Sequence, residues 1–81
     1  MEIRDILAAN LMQARKSMGL SQEELAGQVG IDRTYVSALE RRVYAASIDL
    51  VGRLAQALGC EPYELLLPPS ADGASTTSSK T

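Results

Sequence analysis

Residues 21–42 read SQEELAGQVGIDRTYVSALERR. Ser21 followed three residues later by Glu24 has the form of a capping box, in which side chain and backbone satisfy each other at a helix start. Leu25, Ala26 and Val29 share one face of the helix that follows, and Gly30 stops it. Asp32 is a good N-cap for a second helix, expected from about Arg33 to Arg41 around Val36 and Leu39. Neither helix is long enough to hold together alone in water. Two such helices across a tight turn make sense if one props the other against something. Ala26 is the small side chain a close approach needs, and Gly30 is the residue a turn with positive φ needs. That is the layout of a helix-turn-helix, about residues 22–41, whose second helix enters the major groove of DNA.

The flanks supply more helices. Ile3, Leu7, Leu11, Ala14 and Met18 recur at steps of four, four, three and four, an amphipathic stripe closed by Gly19. Residues 42–46, RVYAA, form a connection with no strong breaker. Ser47 caps a fourth helix with the stripe Ile48, Val51, Leu54, Ala55 and Leu58, closed by Gly59. Pro62 suits the first turn of a short fifth helix, PYELL. Beyond Pro68 and Pro69 the chain turns Ser/Thr-rich, SADGASTTSSKT, and reads as a disordered tail. The fold expected is all-α: a compact bundle of five short helices over residues 1–68, with a tail over 69–81.

Composition narrows the function. The chain has 81 residues, 46% of them apolar, with no Phe and no Trp, so its core is thin and dimerisation would help it. No apolar run approaches the roughly 18 residues of a membrane span. The opening MEIRDILAAN lacks the basic-then-apolar layout of a signal peptide, so a cytoplasmic location is expected. Cys60 stands alone and histidine is absent. That removes the commonest general base and metal ligand, and no paired-carboxylate or Ser-Lys constellation replaces them. No metal, cofactor or small-molecule ligand is expected, and an enzyme reading has no support. Cys60 reads as a small residue, buried or half-buried.

From about Leu11 to Leu67 the chain resembles the Cro/C1-type (XRE) helix-turn-helix family of phage and bacterial transcription regulators. The residues carrying the likeness are ARKSMGLSQEELAGQVGIDRTYVSALER and SIDLVGRLAQALGCEPYELL. The resemblance implies a lambda-repressor-like fold, double-stranded DNA as partner, and base-reading side chains at the start of the second helix of the motif. A helical wheel at about 100° per residue sets Val36, Leu39 and Val43 on one side and Thr34, Ser37, Ala38 and Arg41 on the other. The expected groove-facing set is Arg33, Thr34, Ser37 and Ala38. Arg33 suits a bidentate contact to guanine, and Ala38 and the Thr34 methyl suit a thymine methyl. The competing reading of Arg33 is a solvated surface charge.

By the same resemblance Gln22 meets the DNA backbone, against the plain alternative of a first-turn helix residue. Arg41, Arg42 and Tyr44 are placed to reach flanking phosphates, though arginines at a helix end also suit the helix dipole. Tyr35 stands between backbone contact and packing at the core edge. Arg15 and Glu40, both at the margin of the core, are expected from the resemblance to pair and fix the orientation of the second helix. Many relatives have Gly where this chain has Arg42 and Pro where it has Ala46, which leaves the path of 42–46 open.

A short recognition helix reads few base pairs, so family members usually pair on two-fold-related half-sites. Tyr63, Leu65, Leu66 and Leu67, with Ile48, form the candidate dimer interface; for Leu65 and Leu66 the alternative is capping of the domain's own core. The net charge of −2 is an objection, since nucleic-acid binders are usually basic. Its distribution helps: between residues 15 and 42, Arg15, Lys16, Arg33, Arg41 and Arg42 face Glu23, Glu24, Asp32 and Glu40. The function expected is a sequence-specific DNA-binding transcriptional regulator, a homodimeric repressor or autoregulator on an inverted-repeat operator. The alternative is a protein-interaction module of the same fold, antitoxin-like or an antiactivator, acting through a protein partner.

Overall fold

A computed structural model of the chain describes residues 2–69. Four α-helices follow in order: α1 (Ile3–Ser17), α2 (Gln22–Val29), α3 (Arg33–Glu40) and α4 (Ile48–Leu58). A 3-10 helix, Pro62–Leu66, closes the bundle. The class is all-α, with one departure: the fifth helix is 3-10, not α. Five residues led by a proline without an N–H leave little for a regular α-turn to bond. The Ser/Thr-rich tail, from residue 70 onward, lies outside the described residues.

The helix starts follow their capping chemistry. The Glu24 backbone N–H donates to Ser21 Oγ (3.0 Å), and the Ser21 N–H donates to Glu24 Oε1 (2.8 Å). Ser47 Oγ accepts from the Leu50 N–H at 3.0 Å. Asp32 precedes α3 with extended backbone, but its carboxylate makes no capping bond.

The largest fully covered side chains are Leu11, Leu25, Val36, Leu39, Leu54 and Leu65, drawn from all five elements. Each removes enough apolar surface to contribute about 1.5–3 kcal/mol. Three stripe residues are not in this core. Ile3 and Ile48 stand at the first positions of α1 and α4, beyond the reach of their neighbours, and Met18 lies past the end of α1; all three are exposed. Leu50, Ile6 and Ala8 are buried in addition. Val43, on the inner side of the wheel, is likewise exposed because α3 ends at Glu40.

Two chain reversals set the motif. At Gly30 (φ 86°) the N–H groups of Gly30 and Ile31 both donate to the Ala26 carbonyl, at 2.8 and 3.0 Å, and the chain turns into α3. At the far end of α3, Arg42 takes the left-handed conformation (φ 65°) that glycine usually supplies. Its N–H donates to the Leu39 carbonyl (3.1 Å) and that of Val43 to the Ala38 carbonyl (2.9 Å). The helix therefore ends as sharply as a glycine would end it. Holding a side chain there costs about 1–2 kcal/mol.

Arg42→Gly should relieve that strain, less the loss of an exposed ion pair with Asp5 and the larger unfolded-state entropy of glycine. The expected net gain is about 0.5–1 kcal/mol, or roughly 2–8 °C in Tm for a domain of this size. A thermal melt checks it; an equal or lower Tm would mean that the Arg42 side chain contributes more than its backbone costs.

Candidate nucleic-acid interface

The site is organised around one carboxylate. Arg15 of α1 donates from Nε to Glu40 Oε2 at 2.7 Å and from Nη2 to Oε1 at 3.1 Å, a two-pronged pair. Its Nη1 donates to the Leu20 carbonyl at 2.8 Å, tying down the turn before α2. Gln22, the first residue of α2, donates from Nε2 to Glu40 Oε1 at 3.0 Å. The Glu40 side chain is only 2% exposed. Its hydrogen bond to Arg15 raises the guanidinium pKa further, against the opposing effect of burial, so Arg15 remains charged. α1, α2 and α3 thus meet at one charge-assisted node.

Arg33 and Thr34 open α3 and lie in solvent, and Ser37 sits half-buried one turn on. Arg33, Ser37 and Arg41 follow at i, i+4 and i+8 along one face. Arg41 Nε donates to Ser37 Oγ at 3.3 Å. Among the described residues no ion pair engages Arg33 or Arg41.

Ala38 is a correction. It lies opposite Val36 on the wheel, yet is only 5% exposed and is not offered to a groove. A side chain of one carbon is short enough for neighbouring elements to cover whatever its place on the wheel, and the backbone beside it is occupied too: the N–H groups of Val43 and Tyr44 both donate to the Ala38 carbonyl, at 2.9 and 3.4 Å. Tyr35 is half-buried, its ring edge-on to the exposed Tyr44, with centroids 5.7 Å apart. Arg42 points back to Asp5 of α1, 3.4 Å from Nε to Oδ1.

For Leu65 the structure takes the second of its two readings and removes it from the candidate dimer face. That residue is 1% exposed and packed within the domain's own core, so it has no surface left for a partner. Tyr63, Leu66 and Leu67 are exposed. So is Ile48, at 89%, beside a shallow apolar groove that Ile3, Leu7, Ala46, Val51 and Leu66 also line.

Three side chains carry more than their positions advertise. Gln22 belongs to the Arg15–Glu40 node. Asn10 donates from Nδ2 to the carbonyls of Leu65 (2.9 Å) and Leu67 (2.6 Å), clamping the 3-10 helix to α1. A lone amide on the Leu7/Leu11/Ala14 stripe was its visible signal. Arg53 donates to the Val29 carbonyl and sets a cation at the C-terminus of α2; nothing local in the sequence marks that contact.

Glu40→Ala should cost about 3–5 kcal/mol of stability, because it leaves a buried guanidinium without its partner; a urea titration whose midpoint shift, multiplied by its slope, came to less than about 1 kcal/mol would refute the figure. Cys60 is half-buried, and burial, with Glu64 and Glu61 adding to it, pushes the thiol pKa up. The folded chain thus favours the thiol, a contribution present at neutral pH and lost as pH rises through the folded pKa. Alkylation at pH 8 should be slower than for an unstructured cysteine peptide and should reach the peptide rate in urea.

Comparison with known proteins agrees with this geometry. The Helix-turn-helix family model matches residues 11–65. A Neisseria meningitidis protein described as a hypothetical transcription factor is 48% identical over 68 residues, which are 84% of this chain and 64% of that protein; the chain thus spans just under two thirds of its relative. The crystal structure of a hypothetical transcription factor from Neisseria superposes with a TM-score of 0.85 at 46% identity, covering 88% of this chain and 82% of the other. The restriction-modification controller protein C.AhdI from Aeromonas hydrophila superposes with a TM-score of 0.74 at 40% identity, covering 76% and 94%. With a two-helix motif propped by α1 and capped by α4, and this match over most of its length, the chain belongs to the Cro/C1-type helix-turn-helix family of transcriptional regulators.

Proposed function

We propose that this chain is a sequence-specific DNA-binding regulator that acts as a homodimer, with α3 in the major groove of each half of an inverted repeat. The observation that carries the reading is the start of α3: Arg33 and Thr34 stand in solvent on a helix whose far end is locked to α1 and α2 through Glu40. Base contacts fall to Arg33, Thr34 and Ser37, with Ala38 withdrawn by its burial. Gln22, Arg41 and Tyr44 contact phosphates; Tyr35 braces Tyr44, and Arg42 reaches the backbone only by leaving Asp5. Similarity to a restriction-modification controller favours a repressor or autoregulator of its own operon. The exposed residues Ile48, Tyr63, Leu66 and Leu67 supply the dimer face. No described helix is long and apolar enough to cross a membrane, which suits a regulator acting in the cytoplasm.

The acidic balance, pI about 4.9, is what favours the competing reading of a protein partner on the same face. Recovery of sheared genomic DNA by purified protein separates the two, with Arg33→Ala/Thr34→Ala run at the same salt. The expected result is a few fragments sharing an inverted repeat whose half-sites lie about one helical turn, roughly 34 Å, apart, lost in the variant. The same featureless background from both proteins would refute DNA reading by α3 and favour the protein partner.

A further inference from the structure

We infer that Glu40 is a positioning residue for DNA binding, and that it acts through the side-chain amide of Gln22. This rests on the reading of Gln22 as a phosphate contact. Glu40 carries the charge that Arg15 pairs with, so both its oxygens are acceptors only. An amide facing it must therefore present its NH2 end. One N–H is taken by Glu40 Oε1 at 3.0 Å. That leaves the second N–H, and the backbone N–H of the first turn of α2, as donors for an anion. Without the carboxylate the amide has three rotatable bonds and no preference for which end faces outward. Glu40 thus does two things with one group: it locks α3 to α1, and it fixes which end of Gln22 is offered beside α3.

The arrangement predicts energetic coupling where a purely structural ion pair predicts none. Replacing the pair by apolar residues of similar size, Arg15→Met/Glu40→Leu, is the background to use, because exchanging both partners of a buried pair is often neutral for stability. In the natural background Gln22→Ala should weaken operator binding about five-fold, the scale of one hydrogen bond. In the apolar background binding should already be weaker by at least that factor, since the hold on α3 and on the Leu20 carbonyl is lost as well, with Tm within a few degrees, and Gln22→Ala should cost less than two-fold more. Equal losses in both backgrounds would overturn the inference, as would a Gln22→Ala protein that binds like the natural one. Absence of any Arg33-dependent binding would instead overturn the DNA reading itself.

Should the apolar background fail to fold, the natural chain gives a second test. The side-chain NH2 protons of Gln22 should exchange with solvent more slowly than those of the exposed Gln13, Gln28 and Gln56. Exchange at the same rate as those three would also overturn the inference.

Discussion

The burial of one carboxylate constrains the whole domain. Val36 and Leu39 drive α3 onto the core, but apolar contact has no direction, and an eight-residue helix held by two such side chains is free to roll. Glu40 removes that freedom. Its two oxygens meet a planar guanidinium at 2.7 and 3.1 Å, a geometry that tolerates little rotation. The desolvation cost of the two charges offsets much of their attraction, so the pair contributes orientation more than stability. Because Arg15 also holds the Leu20 carbonyl, and Glu40 also holds Gln22, the same constraint sets the entry of α2. A rotation of α3 by even a fraction of a turn would exchange Arg33 and Thr34 for their neighbours on the outward face.

The second constraint is the reversal at Arg42. It stops α3 after eight residues and brings the chain back to the Ala38 carbonyl, so what the helix offers to a partner is concentrated in its first turn and a half. A glycine would make that turn at lower cost. With arginine, the side chain gains a tie to Asp5 at the N-terminal end of α1, so the start of the returning segment is anchored to α1.

Much of this was legible in residues 21–42. The capping box at Ser21 and Glu24, the stops at Gly19, Gly30 and Gly59, and the inward Leu25, Val36 and Leu39 each follow from local chemistry that neighbours do not change. What misled is what a wheel cannot contain. It treats α3 as an isolated cylinder, so it assigns Ala38 to the outside and knows nothing of the packing that buries it. For Leu65 and Leu66 the sequence left both a partner face and the domain's own core open; the 3-10 helix folds Leu65 inward while exposing Leu66 beside it. Ile3 and Ile48 fit their stripes in phase but sit at helix ends, where phase no longer ensures cover. The Gln22–Glu40 bond joins residues 18 apart and becomes visible only once α2 and α3 are packed.

Charge illustrates the same point from the other side. A net of −2 counts Glu40 as an acid on the motif, yet that carboxylate is inside and cancelled by Arg15. The motif's outer charge is set by Lys16, Arg33, Arg41 and Arg42 against Glu23, Glu24 and Asp32. Glu24 is drawn into its own capping box. On the DNA reading such a surface neutralises few phosphates, and each one adds only about 0.9 to the slope of log affinity against log salt. Phosphate contacts supply essentially all of the binding to bulk DNA, whereas on this reading an operator adds base hydrogen bonds from Arg33. The ratio of the two decides how much regulator is left for its site. An acidic chain with an orienting node behind a short helix is therefore suited to selecting sequence over charge.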